Sequence, residues 1–258
     1  TPMIIIDLIR LPFGINVYYA QYIVFLLFFI VGCIKIGDFD ASFTNSSAFM
    51  LLSVICATAL MVLAVRPRAG VPGRWQLLAE LSYQFIAKMV ADNIGKEGRS
   101  YFPLIFSIFI FVLFGNLLGM IPYSFTFTSH IAVTLTMALL IFIMVTLIAF
   151  FKHGMKFFSF FLPEGVPIIL APLMIAIEVI SYFTRPFSLS VRLFANMMAG
   201  HTLLKVIGGF VVPLGIFGFV PVAGLVAVMG LEFLIAFLQA YIFTILTCIY
   251  INDAIHLH

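Results

Sequence analysis

Four ionisable side chains, Glu178, Arg185, Arg192 and His201, stand in one apolar run, 166–208, ahead of its last charged residue, Lys205. An arginine at membrane depth costs at least ~2.5–3.5 kcal/mol. It is tolerated against a water-filled path or an ionic partner, so a deep arginine marks a functional site by default. Carboxylates and imidazole can relay protons, whereas a guanidinium stays charged at any working pH. The row has the chemistry of a proton relay with a permanent cation set into it.

Spacing orders these groups. Glu178, Arg185 and Arg192 are seven apart and form one stripe of a helix, and Asn196 lies one turn past Arg192. His201 is nine residues beyond Arg192, half a turn round, so it should line a different compartment. The last apolar run, 221–255, repeats the pattern in reverse with Glu232, Gln239 and Asp253, and Tyr250 falls near the same stripe. Paired as a hairpin, the two runs bring His201 to Glu232 at one end and Glu178 to Asp253 at the other. Arg192 and Gln239 fall between. Two titratable clusters then sit on opposite sides of a membrane, and Arg192 blocks direct passage between them. Protons crossing such a chain need an external carrier that visits both clusters.

These positions require helices inside a bilayer, and the composition supplies them. Of 258 residues, 64% are hydrophobic and only 9% charged, with a mean hydropathy of +1.24. Soluble domains carry about 25% charged residues, so the chain is an integral membrane protein. Strand alternation is absent, which selects all-α over a barrel. The net charge of +3 is too dispersed for nucleic acid. The expected fold is one all-α membrane domain, 1–258, with about five membrane helices and a surface amphipathic helix. Two long, tilted C-terminal helices form its hairpin, 166–258.

In chain order, the N-terminal region 1–47 holds an apolar segment, 17–36, long enough to span. A second run, 48–65, ends at a basic loop rich in Pro and Gly from Arg66. In 74–95, Leu77, Leu78, Leu81, Phe85, Met89 and Val90 recur at helical spacing, so this helix should lie at the membrane surface. Runs 101–121, with Asn116, and 131–151 span again, joined by an uncharged turn at 122–129. Lys152 and Lys156 make a second basic loop, and Pro163 and Pro167 break the chain before the hairpin. By the bias of Lys and Arg, loops 66–99 and 152–156 share the negative side with the C-terminus. The turn 122–129 and the bend 209–221 face the other side. As one helix, 166–208 measures about 63 Å against a hydrocarbon core of ~30 Å. The charge rule favours one long tilted helix over two crossings, with Pro172 and Pro186 as bend points.

Three residues are secondary candidates: Arg185, Asn116 and Tyr250. Arg185 is open between a packing or lipid-headgroup role and a channel role. Asn116 reads as an interhelical hydrogen bonder. His130, His153, His256 and His258 read as solvated residues at helix ends, and Cys33, Cys56 and Cys248 as small buried hydrophobes without metal spacing.

The stretch Arg185-Pro-Phe-Ser-Leu-Ser-Val-Arg192-Leu-Phe-Ala-Asn196-Met-Met-Ala-Gly-His201 closely resembles the core of the subunit a family of F-type ATP synthases. So do Phe-Gly-Asn116-Leu-Leu-Gly-Met-Ile-Pro-Tyr-Ser, Phe-Leu-Pro163-Glu-Gly-Val-Pro, Leu-Glu232 through Leu-Gln239-Ala-Tyr, and the ending Tyr-Ile-Asn-Asp253-Ala-Ile-His-Leu-His. The resemblance covers nearly everything from about Ser42. It implies a proton-translocating stator subunit whose two offset half-channels serve a rotating ring of c subunits. By it, Arg192 faces the ring, and His201 and Glu232 form the half-channel on the intermembrane side. Glu178 and Asp253 form the matrix-side exit, and Asn196 and Gln239 are polar neighbours of the arginine. The implied partners are the c ring, peripheral-stalk and other Fo subunits, and the lipid bilayer. No cofactor or metal is implied, only protons as the transported species. His at 201 with Glu at 232 is similar to mitochondrial members, so the expected location is the mitochondrial inner membrane, with the bacterial plasma membrane as the alternative. The segment 17–36 departs from the family pattern as an extra element.

A secondary proton-coupled transporter is the rival reading, but such folds typically show inverted repeats, and none is visible. No phosphate loop or nucleophile motif is present, so ATP chemistry is expected on other subunits and this chain is expected to be non-catalytic.

Overall fold

The computed structural model describes residues 45–65, 73–121, 124–154 and 171–255. The expected segment 17–36, the breakers Pro163 and Pro167, and His256 and His258 lie outside these residues. The described part is helical: α1 (Asn45–Val65), α2 (Arg74–Asn93), α3 (Phe102–Gly119), α4 (Ile131–His153), α5 (Ala171–Gly209) and α6 (Phe219–Ile255). Short 3-10 turns at Gly95–Ser100, Phe127–Ser129 and Gly215–Gly218 connect them. The expected boundaries that fall within the described residues agree to within three residues, and the start of the run 166–208 lies outside them.

α3 is apolar on all sides, so it has no face to give to water and becomes the central post. Ile105, Phe106, Ile108, Phe109, Phe111 and Val112 are all buried. α1, α2 and α6 pack around it, and α4 packs on α5 and α6. α3, α4 and α6 are each long and apolar enough to cross a membrane, while α1 contributes the shorter apolar stretch Ser46–Val62. Hydroxyls inside these helices bond back to the preceding turn, as Ser107 does to the Pro103 carbonyl (2.7 Å) and Thr247 to that of Phe243 (2.8 Å). That local bond satisfies a polar group where water is absent.

α2 divides its apolar face differently from the expectation. Met89 and Val90 are buried together with Ile86 and Ala79, but Leu77, Leu78 and Leu81 are exposed. The C-terminal half of α2 is held by the bundle, with Tyr83 edge-on to Phe102 (4.7 Å between ring centres).

The two ends of the bundle sort as the basic residues require. Lys152, at the end of α4, bonds Glu97 in the segment after α2 (2.6 Å). His153 is half-buried and bonds the Ile255 carbonyl (3.1 Å), so it ties α4 to the end of α6 rather than standing in solvent. Lys152, Glu97 and the end of α6 therefore share one end. At the other, the segment 124–130 is more than a turn. Thr126, Phe127 and Thr128 are buried, and the Phe127 ring lies where a Cβ on Gly115 would come within 2.5 Å of Cζ.

α5 is one helix of 39 residues, about 58 Å by helical rise. It continues through Pro186, which has no N–H to give to the preceding turn. The described part of 166–208 is thus a single helix, not two crossings, and it exceeds a ~30 Å core unless inclined. α6, 37 residues long, returns alongside it.

Candidate functional site

α5 buries one line of residues, Pro186, Leu189, Leu193 and Met197, against the bundle. Arg192 lies off that line, is exposed and forms no ion pair among the described residues. A buried pair with Glu178 is thereby excluded as the reason for Arg192. Glu178, two turns before Arg185, is half-buried and has no hydrogen bond among the described residues. Large apolar side chains are exposed elsewhere on the two long helices, among them Phe187 and Val191 on α5 and Leu234 and Leu238 on α6.

At the uncharged end, His201 and Glu232 line one small cavity with Asn196, Met197, Met120 and Ile235, with room for about one water molecule. The Glu232 carboxylate is set against Gly200, in space that a Cβ there would fill. Its Oε1 is buried and lacks a hydrogen-bond partner among the described residues. Thr126, 7% exposed, reaches in from the turn: its Oγ1 lies 2.9 Å from His201 Nε2 and donates to the Gly119 carbonyl at 2.9 Å. Asn196, one turn past Arg192 on the same side of α5, also lines this cavity.

At the basic end Asp253 bonds Arg185 (Nη1 to Oδ2, 3.0 Å), a pairing the spacing did not indicate. Two carboxylates repel, and a guanidinium within reach replaces that repulsion with a charge-assisted bond. Arg185 also lies over the Tyr182 ring (5.7 Å to its centre) and the Tyr250 ring (5.3 Å), a cation held between two aromatic faces. Tyr182 is itself fixed: Thr146 gives its one hydroxyl proton to the Phe142 carbonyl (2.7 Å), so the phenol donates to Thr146 (2.7 Å). Arg185 is therefore a packed ion-pair residue.

Between the clusters, Gln239 on α6 is 7% exposed. Setting Gly200 opposite Glu232 in an antiparallel pair puts Arg192 level with Gln239 and Ala240. Along α5, Arg192 stands ~10 Å from Arg185 and ~14 Å from His201. Asn116 on α3, 0% exposed, donates to the Ala236 carbonyl of α6 (3.2 Å), between Glu232 and Gln239. It is the interhelical bond expected of it.

Sequence reasoning missed Thr126, Gly200 and Tyr182. Gly200 had a readable signal, the small residue directly before His201. Tyr182 had one too, three residues before Arg185 and so on the same face. Thr126 had none, since only the folding of 124–130 brings it to His201.

A profile of the family described as ATP synthase A chain matches residues 47–252. The chain is 60% identical over 232 residues to the ATP synthase subunit a of Paramagnetospirillum magneticum, spanning 87% of this chain and 94% of that protein. It is 58% identical over 226 residues to that of Rhodospirillum rubrum, with 87% and 94% covered. With the subunit a of Pelagibacter ubique the identity is 56% over 226 residues, covering 87% and 93%. All three relatives are bacterial, so the mitochondrial location expected from His201 and Glu232 draws no support from them. The motif around Arg192, the charged hairpin and these matches together place the chain in the ATP synthase A chain family, subunit a of the F-type ATP synthases.

Proposed function

We propose that the chain works as the non-catalytic, proton-translocating stator subunit of an F-type ATP synthase in a bacterial plasma membrane. A proton enters at the cavity of His201, Asn196 and Glu232 and passes to a carboxylate on a neighbouring ring of c subunits. After rotation that carboxylate meets Arg192, whose fixed charge favours its ionised form, and the proton leaves toward Glu178, Asp253 and Tyr250. Gln239, level with Arg192, is its polar neighbour on α6, and Asn116 ties α6 to α3. The observation that carries this reading is the position of Arg192: exposed on the hairpin, with no ion pair among the described residues, between two polar clusters at opposite ends. Bacterial relatives favour the plasma membrane, and the exposed apolar side chains of the hairpin suit a c ring and other Fo subunits.

The test is flux in reconstituted vesicles. Arg192→Ala is expected to abolish ATP-driven pumping and synthesis together while passive proton leak persists or rises. Arg192→Lys is expected to fail substantially, because an ammonium can deprotonate when desolvated. Coupled synthesis near the wild-type rate in Arg192→Ala would overturn the reading.

A further inference from the structure

We infer that Thr126 fixes the tautomer of His201 and makes Nδ1 the only nitrogen of that ring through which protons pass. The inference deepens the proposed function and rests on the entrance reading of His201. A threonine hydroxyl has one proton to give, and a backbone carbonyl can only accept. The Thr126 proton goes to the Gly119 carbonyl at 2.9 Å. Toward His201 Nε2, also at 2.9 Å, Thr126 Oγ1 can then only accept. In the neutral ring Nε2 therefore carries the hydrogen and Nδ1 the free lone pair. Nε2 is also a dead end, because beyond Thr126 stands a carbonyl that cannot pass a proton on. Traffic is confined to Nδ1: an incoming proton forms the N–H bond there and gives the imidazolium. The same bond then breaks to hand the proton to the Glu232 carboxylate or to a water in the shared cavity, and the ring returns to its Nε2–H form. No ring flip is needed.

The packing is built for this contact. A Cβ on Gly119 would lie 2.5 Å from Thr126 Cγ2 and 2.6 Å from Oγ1, so glycine is what lets Thr126 reach both partners. The charged groups around the ring are Glu232 from α6 and Lys205, one turn along α5, while Met120 and Thr126 are uncharged. Thr126 is a positioning residue, acting through His201.

The experiment uses the assembled complex in membranes with 15N-labelled histidine, read by solid-state NMR at alkaline pH, with the His201 signal assigned by its loss in His201→Gln. The wild type is expected to show the Nε2–H tautomer alone. Thr126→Val, which keeps the shape and removes the hydroxyl, is expected to show both tautomers and to lower proton-driven synthesis several-fold. Thr126→Ser should restore both. A wild-type Nδ1–H tautomer, or an unchanged pure Nε2–H signal in Thr126→Val, would overturn the inference. Full synthesis in His201→Gln would instead bring down the entrance reading, and the tautomer spectra would still decide the question of Thr126.

Discussion

The carboxylate of Glu232 on α6 rests against Gly200 on α5, with Oε1 in the space that a Cβ would take. The contact sets the entrance where Gly200 leaves room on α5 for the Glu232 carboxylate. Gly200→Ala must push Glu232 out of the cavity or spread the helices, and overpacking of this kind costs ~1–3 kcal/mol. Proton-driven ATP synthesis in vesicles is expected to fall roughly tenfold, with the subunit still assembled. A wild-type rate would show that Glu232 does not work from this position.

His201 and Glu232 share a cavity holding about one water, so they should act as one step. His201→Ala and Glu232→Ala are each expected to slow proton uptake. The double variant should be slower than either by clearly less than the sum of the two effects. Strict additivity in flux assays would separate the two residues.

The helices and their sidedness were legible because bilayer physics leaves few choices. Apolar length gave α3, α4 and α6, and the placement of Lys152 and its neighbours gave the common end that the Glu97 bond displays. Helical phase also put His201 and Glu232 together. Phase failed where side-chain reach decides. It paired Asp253 with Glu178 by depth and did not indicate that the long guanidinium of Arg185 reaches that carboxylate. It failed again for Thr126, whose place depends on Phe127 docking at Gly115, a contact that no periodicity encodes. The split face of α2 was hidden for the same reason: periodicity identifies an apolar stripe but not which half of it finds protein.

Asn116 tests the central post. Its amide donates to the Ala236 carbonyl in a site without water access. Bonds of this kind between membrane helices average ~0.6 kcal/mol and reach about 1.7. Asn116→Ala should lower the thermal stability of the assembled complex slightly. Asn116→Asp removes the donor and buries a carboxylate, so it should lower stability more. The reverse order would mean that the amide is not held by α6.

The ion pair of Arg185 and Asp253 gives the sharpest distinction between the two arginines of the stripe. Their side chains are 23% and 30% exposed, so solvent screens the pair only in part. Arg185→Ala leaves Asp253 without its partner, at a cost of about 1–3 kcal/mol. Asp253→Asn keeps an acceptor for the guanidinium and should be milder. Arg185→Lys retains charge but loses the fork and much of the stacking on Tyr182 and Tyr250, so it should rescue only in part. In a double-mutant cycle with alanine at both positions, the combined loss of complex stability should be clearly less than the sum. Function should divide the arginines further. Arg185 holds a carboxylate within one cluster, whereas Arg192 stands between clusters. Arg185→Ala is therefore expected to slow proton release and synthesis without raising passive leak, while Arg192→Ala uncouples. If Arg185→Ala leaked protons as Arg192→Ala does, the barrier between the clusters would extend over both cations, and the assignment of Arg185 to the exit alone would fall.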